Sequence, residues 1–267
     1  MQVVAVGYAP VKGTRHTAHD AVRVEAGGVV GDRELCAVDV DRRRVLRTVQ
    51  HPALLQVRAE RHGPGGGQLR LVLPDGTSVD GPLTASGEEL TCDYWGRDVA
   101  LRLLTGPHAD LLTAHLGRPV RLAAAPPGAV VYGDPVSLVT TASLRAVADQ
   151  LGCRPDEVAA ARFRADVVLD GEQPFAEDAW RECELDLGSA RVRVTGLVPR
   201  CAVVDHDPVT GERDRPVLRA LVALAQQRGA DGRDGPPFGL EAVVVRPGDV
   251  RVGDAAALRP ARAAQPR

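Results

Sequence analysis

Along the first hundred residues the apolar positions come in short, β-branched runs. Val3–Val6, Ala21–Glu25, Leu35–Val40, Val45–Val49, Leu54–Ala59 and Leu69–Leu73 are separated by the turn signals Gly27-Gly28, Asp41-Arg42, Gly63–Gly67 and Asp75-Gly76. Short strands at this spacing predict a closed or partly closed β-barrel rather than a parallel α/β sheet. The cluster GPGGG lacks a following GK[ST] and helix, so it reads as a hairpin connection and not as a phosphate loop.

Helical periodicity first becomes convincing at Pro107–Leu116, stopped by Gly117 with Pro119 beyond it. The stretch Ala123–Pro135, with Pro126-Pro127-Gly128, reads as a linker. Beyond it, Thr140 or Thr141 caps a helix with Leu144, Val147, Ala148 and Leu151 on one face and Gly152 at its end. Pro155 opens a short helix through Ala161. Pro216 opens another, with Leu218, Leu221, Val222 and Ala225 apolar and Gly229 at its end. Val167–Leu169, Arg191–Thr195, Cys201–Val204 and Glu241–Val245 read as strands, Arg228–Pro237 as a flexible loop. The expected class is α+β and β-rich: a barrel-like domain over 1–122, packed on a domain over 130–258 with a mixed, barrel-like sheet and a few helices. A flexible tail follows at 259–267.

The chain has 267 residues, long enough to bury a core without staples. It has 33 Lys plus Arg against 35 Asp plus Glu, a net charge of −2, and aromatics are 3%. This balance argues against nucleic acid and anionic membranes as partners, and few side chains are available to stack bases. The five cysteines Cys36, Cys92, Cys153, Cys183 and Cys201 are odd in number and form no CxxC, which argues against a zinc site or a disulfide framework. The start, MQVVAVGYAPVKG, has no basic region ahead of a long apolar core, and no apolar run approaches ~20 residues. The expectation is a cytoplasmic protein. Among the basic residues every one is Arg except Lys12, which singles that lysine out.

Candidate chemistry is sparse. His16 and His19 could share a metal only on a helix, and between strands they read as a solvated loop. Asp205, Asp207 and Gly211 lack calcium-loop spacing, so DPVTGER reads as a turn. Cys201 follows Pro199-Arg200 at the start of an apolar run. From spacing alone it is either a buried, inert thiol or a nucleophile or soft-metal ligand.

Two ordered sets of residues carry a resemblance. Tyr8-Ala9-Pro10-Val11-Lys12, Gly31-Asp32-Arg33, Gln50-His51-Pro52 and Leu116-Gly117-Arg118-Pro119-Val120 make the first half similar to the β-barrel domain that precedes the MOSC domain. The second half resembles the MOSC domain itself. It does so through the run Arg162-Phe163-Arg164-Ala165-Asp166-Val167-Val168 and the run from Pro174-Phe175 to Ala179-Trp180. Arg200-Cys201, Asp207-Pro208 with Thr210-Gly211, Pro237-Phe238-Gly239 and Arg251-Val252-Gly253-Asp254 complete the set, so the likeness covers roughly residues 1–258.

The resemblance implies a molybdenum cofactor (Mo-molybdopterin) and a kinship with the amidoxime-reducing components. Cys201 then holds the position of the catalytic molybdenum ligand. Lys12, Arg33, Arg164, Asp166, Arg200 and the helix start at Thr140 hold cofactor-contacting positions. The chain departs from the family pattern at Ala165-Asp166, where Pro-Asn is common, and at Gly13, where Ser is. Because i and i+2 share a strand face, Asp166 is expected near the pterin, paired with Arg164. The implied activity is reduction of N-oxygenated small molecules, with electrons from a separate donor protein; pyridoxal phosphate binding is not expected. The alternatives are a sulfur carrier using a Cys201 persulfide and a non-catalytic cofactor-binding module.

Overall fold

The computed structural model describes residues 1–230 and 234–259. Its largest sheet has eight strands in the order Ala256–Arg259, Glu184–Leu187, Ala190–Pro199, Pro237–Arg246, Val136–Thr140, Val167–Leu169, Val3–Tyr8 and Thr17–His19. Val136–Thr140 and Val167–Leu169 run parallel and are joined by a crossover through α2 (Thr141–Leu151), as a parallel pair requires. A closed barrel is built from Leu35–Asp39, Arg44–Val45, Thr84–Tyr94, Arg97–Thr105 and Arg121–Ala124. Two three-stranded sheets flank these. One pairs Gly248–Arg251 with Ala21–Glu25 and Gly28–Val29, and the other joins Arg58–His62, Gln68–Val72 and Ser78–Pro82.

The helices end where the sequence predicts. Gly117 closes α1 (His108–Leu116), Gly152 closes α2 and Gly229 closes α3 (Val217–Arg228), each with φ between 63° and 66°. Left-handed backbone there costs glycine nothing and frees the last carbonyls to accept capping bonds. Thr140 caps α2 by accepting from Ser143 N at 3.2 Å. The buried face of α3 is Val217, Ala220, Leu221, Leu224 and Ala225, so Val222, expected inside, is 40% exposed.

Several expected elements differ. Leu54–Ala59 is not one strand: Pro52 opens a 3₁₀ turn over Pro52–Gln56, which buries Leu54 and Leu55. Arg58–His62 then forms the strand. Of Val45–Val49 only Val45 lies in a strand. Cys201–Val204 is likewise no strand. Ala202–Asp205 is a 3₁₀ turn in which neighbours Val204 and Asp205 are both buried, and the Asp205 carboxylate accepts from Leu218 N at 2.7 Å. The segment after Pro155 makes two 3₁₀ turns, Pro155–Glu157 and Ala160–Arg162. Arg259 pairs with Glu184 in the large sheet; the rest of the expected tail, 260–267, and positions 231–233 of the expected loop lie outside the described residues.

Strand pairing crosses between the two halves of the sequence. Val3, Val6, Val22, Val24 and Val29 share one core with Leu138, Val167, Leu169, Leu185, Val192 and Leu240. At about 1.5–3 kcal/mol per fully buried apolar side chain, those five valines carry on the order of 10 kcal/mol, comparable to the stability of a whole domain. The core of the large sheet is therefore built from both halves of the chain. Trp95 sits in the barrel hairpin and Trp180 packs on the core of the large sheet. We expect the Trp95→Phe and Trp180→Phe variants, each reporting on the other tryptophan, to show the same urea midpoint in fluorescence. Two separated midpoints would mean that the halves fold independently.

Candidate functional site

The loops that leave the strands converge where the barrel meets the large sheet. Val11 bridges Leu35, and the Lys12 amide donates to Leu35 O at 2.7 Å, which lays Lys12 against the barrel. Its ammonium lies 5.1 Å from the centroid of the Tyr94 ring. Asp32 and Arg33 clasp the same loop: the Asp32 carboxylate accepts from Ala9 N at 3.1 Å, and Arg33 N donates to Ala9 O at 2.8 Å. Arg33 adopts φ 50° and Arg164 φ 54°, both in the left-handed region that non-glycine residues seldom occupy. Such strain concentrates where surrounding structure holds a side chain in place for function.

Lys12, Arg33, Arg164, Arg200 and Cys201 line one cavity of about 220 Å³, together with Tyr94, Trp95, Tyr132, Ser137 and Glu241. At ~30 Å³ per water molecule, that space suits a small organic group better than a lone ion. Cys201 is a free, exposed thiol at the end of Ala190–Pro199, leading into the 3₁₀ turn. Arg200 donates through Nε to Phe238 O and through Nη1 to Phe163 O, both at 2.8 Å. Arg164 Nη1 donates to Thr14 O at 2.7 Å. In each of these two guanidinium groups Nη2 is buried without a hydrogen-bond partner. Arg162 also lines the cavity, but its guanidinium is committed to Asp214 and to the carbonyls of Val204 and His206.

The cations are held at an electrostatic cost. Burial drives Lys12 well below its usual value, and the charges of Arg33 and Arg164 add to the effect. Burial brings Arg164 and Arg200 down to about 10, with Arg33 pressing the same way on both. Burial opposes the charge on Arg33 too, but Asp32 and Asp166 outweigh it and raise its pKa. Arg33 donates to Asp32, and to Asp166 Oδ1 at 3.2 Å. Two carboxylates thus share one cation. Burial pushes Asp166 up to about 7, against the pull of Arg33 and its hydrogen bonds from Ser137 N and Oγ, each 2.8 Å.

Three residues sit differently from the sequence expectation. Asp166 does not pair with Arg164, because the left-handed turn at Arg164 precedes the strand, which begins at Val167, and strand alternation does not apply. It is fully buried behind Arg33 and Ser137 and is not part of the cavity lining. Thr140 lies outside the lining as well: its hydroxyl caps α2 and contacts Glu177 Oε1 at 3.1 Å, and Phe175 N donates to Ser143 Oγ, so that helix start is covered by the chain itself. His16, expected in a solvated loop, has its Nε2 buried and its pKa driven well down by burial, then by Arg164 and Arg33.

The aromatic wall of Tyr94, Trp95 and Tyr132, with Arg47 beside it, was not singled out from the sequence. Aromatic scarcity and a Trp-Gly pair between β-type runs were the signals available. Among the described residues no group of three or more His, Cys, Asp or Glu side chains could hold a metal by itself, and no helix is long and apolar enough to cross a membrane.

Comparison with known proteins places these residues in context. The MOSC domain matches residues 108–257. The chain is 34% identical over 134 residues to mitochondrial amidoxime reducing component 2 of Homo sapiens, covering 47% of this chain and 38% of that protein. Its identity to the human mitochondrial amidoxime-reducing component 1 is 30% over 137 residues, 48% of this chain and 39% of that one. A shorter match, 37% over 60 residues, is to human molybdenum cofactor sulfurase, covering 22% of this chain and 6% of that protein. The matches thus span well under half the length of each relative.

The shared cation gives a pH test. An Asp166 carboxyl that ionises near 7 when folded and near 3.8 when unfolded binds its proton more tightly in the folded chain across that window, so its contribution to stability declines as pH rises through it. Asp166→Asn removes the ionisation while an amide oxygen can still accept from Ser137. The variant should gain on the parent between pH 4.5 and 7.5 by up to about 3 kcal/mol in urea unfolding, because a proton held roughly three pK units more tightly in the folded chain is worth ~1.4 kcal/mol per unit. A difference that is constant with pH would mean that Asp166 stays ionised.

Proposed function

The chain belongs to the MOSC domain family, and on that premise we propose that it is a molybdenum-cofactor-dependent oxidoreductase that reduces N-oxygenated compounds, with Cys201 as the thiolate ligand of the metal. The observation that carries this reading is the exposed thiol of Cys201 in the same cavity as Lys12, Arg164 and Arg200, two of which keep a buried guanidinium nitrogen unpartnered. A buried donor without an acceptor costs free energy, and several cations share the deficit, so the set suits an anionic occupant. A phosphate-bearing pterin with a sulfur-liganded metal meets both requirements: cations for its anionic end and a soft thiolate for molybdenum.

In this reading Lys12, Arg164 and Arg200 hold the anionic end of the cofactor. Arg33, fixed by Asp32 and Asp166, sets the positive potential of the wall. Asp166 and Thr140 act from behind that wall, Asp166 by anchoring Arg33 and Ser137, Thr140 by fixing the start of α2. The cofactor, when bound, supplies two-electron reduction of an N–O bond. An N-hydroxylated substrate takes up two electrons and two protons, its N–O bond breaks, an N–H bond forms, and the oxygen leaves as water. Electrons come from a separate donor protein, and the cationic walls lower the cost of negative charge at the reacting end.

Cys201→Ser tests the assignment. The residue is exposed, so the variant should keep the parent's melting temperature. Changes outside a metal's ligand set already cost roughly 10–100-fold in activity. Loss of the ligand itself should therefore lower benzamidoxime reduction, with dithionite-reduced methyl viologen as donor, by about 100-fold or more. Reduction at the parent's rate would remove Cys201 from the chemistry. Cyanide-labile sulfur on Cys201 in a molybdenum-free protein would favour a sulfur carrier instead.

A further inference from the structure

The hairpin that joins Thr84–Tyr94 to Arg97–Thr105 turns on two residues, Trp95 and Gly96, with φ 57° and 76°. Two-residue turns with positive φ at both positions favour Asn-Gly or Asp-Gly, and a bulky side chain in the first position is strained. Tryptophan there gains little burial in return, for it is 40% exposed. Its indole stands instead at the rim of the Cys201 cavity beside Tyr132, which is 43% exposed. The two rings meet edge to face with centroids 5.3 Å apart. The Arg47 guanidinium lies 4.4 Å from the indole centroid and donates to the neutral Gln50 Oε1 at 3.2 Å. The whole chain has two Trp, three Tyr and three Phe, yet segments from around residues 47, 95 and 132 bring two rings and a flat cation to one mouth.

We propose that Trp95, Tyr132 and Arg47 form a clamp that stacks the flat aromatic part of the substrate, which makes this site selective for aryl-bearing N-oxygenated compounds. The inference rests on the function proposed above and narrows its substrate class. A neutral aryl ring gains offset or edge-to-face contacts with the indole and phenol, and the guanidinium plane adds a further stacking surface. The anionic end of a cofactor is drawn to the part-buried cations Lys12, Arg164 and Arg200; the clamp lies at the solvent-exposed rim, where a substrate enters. The strained tryptophan at the turn is accounted for by this role.

The test compares the full-length, cofactor-loaded parent with Trp95→Asn on benzamidoxime and acetamidoxime, using dithionite-reduced methyl viologen as donor. Asparagine suits the turn, so the variant should melt no lower than the parent. The ratio of kcat/KM for benzamidoxime over acetamidoxime should fall about tenfold, mainly through KM, as expected for the loss of one stacking partner. In a Trp180→Phe background, benzamidoxime should quench the fluorescence of Trp95 saturably. A ratio that stays within twofold of the parent's overturns the clamp and leaves the proposed function standing. So does less molybdenum per chain in Trp95→Asn at equal stability, because the ring would then be holding cofactor. If the parent reduces neither amidoxime, the proposed function fails and the fluorescence decides alone: saturable quenching by benzamidoxime supports the clamp, and no quenching sinks it.

Discussion

Much of the architecture around the cavity answers one electrostatic constraint: several cations are partly withdrawn from water with too few anions to neutralise them. Asp32 and Asp166 are both spent on Arg33, and that leaves Lys12, Arg164 and Arg200 to bear the desolvation. Backbone carbonyls from Thr14, Phe163 and Phe238 take part of the hydrogen-bonding load, but they bring no charge. An arrangement of this kind is costly when empty and favourable when a multiply charged anion fills it, which ties the proposed cofactor to the stability of the fold itself.

The strand order explains how such a cluster can be assembled. Lys12 and Arg33 come from the first forty residues, whereas Arg164 and Arg200 come from the second half. Because Val3–Tyr8 pairs with Val167–Leu169, the loop after the first strand is delivered beside the turn that carries Arg164. The backbone of Gly7 donates to Asp166 O at 3.0 Å, which fixes that register one residue before the strand. Packing in the shared core therefore sets the positions of charges that no single segment could bring together.

Regular elements with one buried face were legible from the sequence. Ala21–Glu25 alternates cleanly, Val22 and Val24 inside, and the three α-helices among the described residues stop at their glycines. The hairpin Thr84–Thr105 was not legible, because the strand Thr84–Tyr94 is mostly solvent-exposed and shows no apolar alternation until Cys92 and Tyr94. The site was legible as residues and not as geometry. Family likeness pointed to Lys12, Arg33, Arg164, Arg200 and Cys201, and they do line one cavity. The partners of Asp166 were not readable, since they follow from a left-handed turn at a non-glycine residue and from a pairing across 133 positions of sequence.

Molybdenum and pterin content of the full-length protein, purified from a host that makes the cofactor, tests the central claim most directly. An under-neutralised cation cluster that opens on a free thiol predicts close to one molybdenum and one phosphate-bearing pterin per chain. A folded protein that carries neither, from cells whose other molybdenum enzymes are loaded, would contradict the claim that these cations exist to hold that anion.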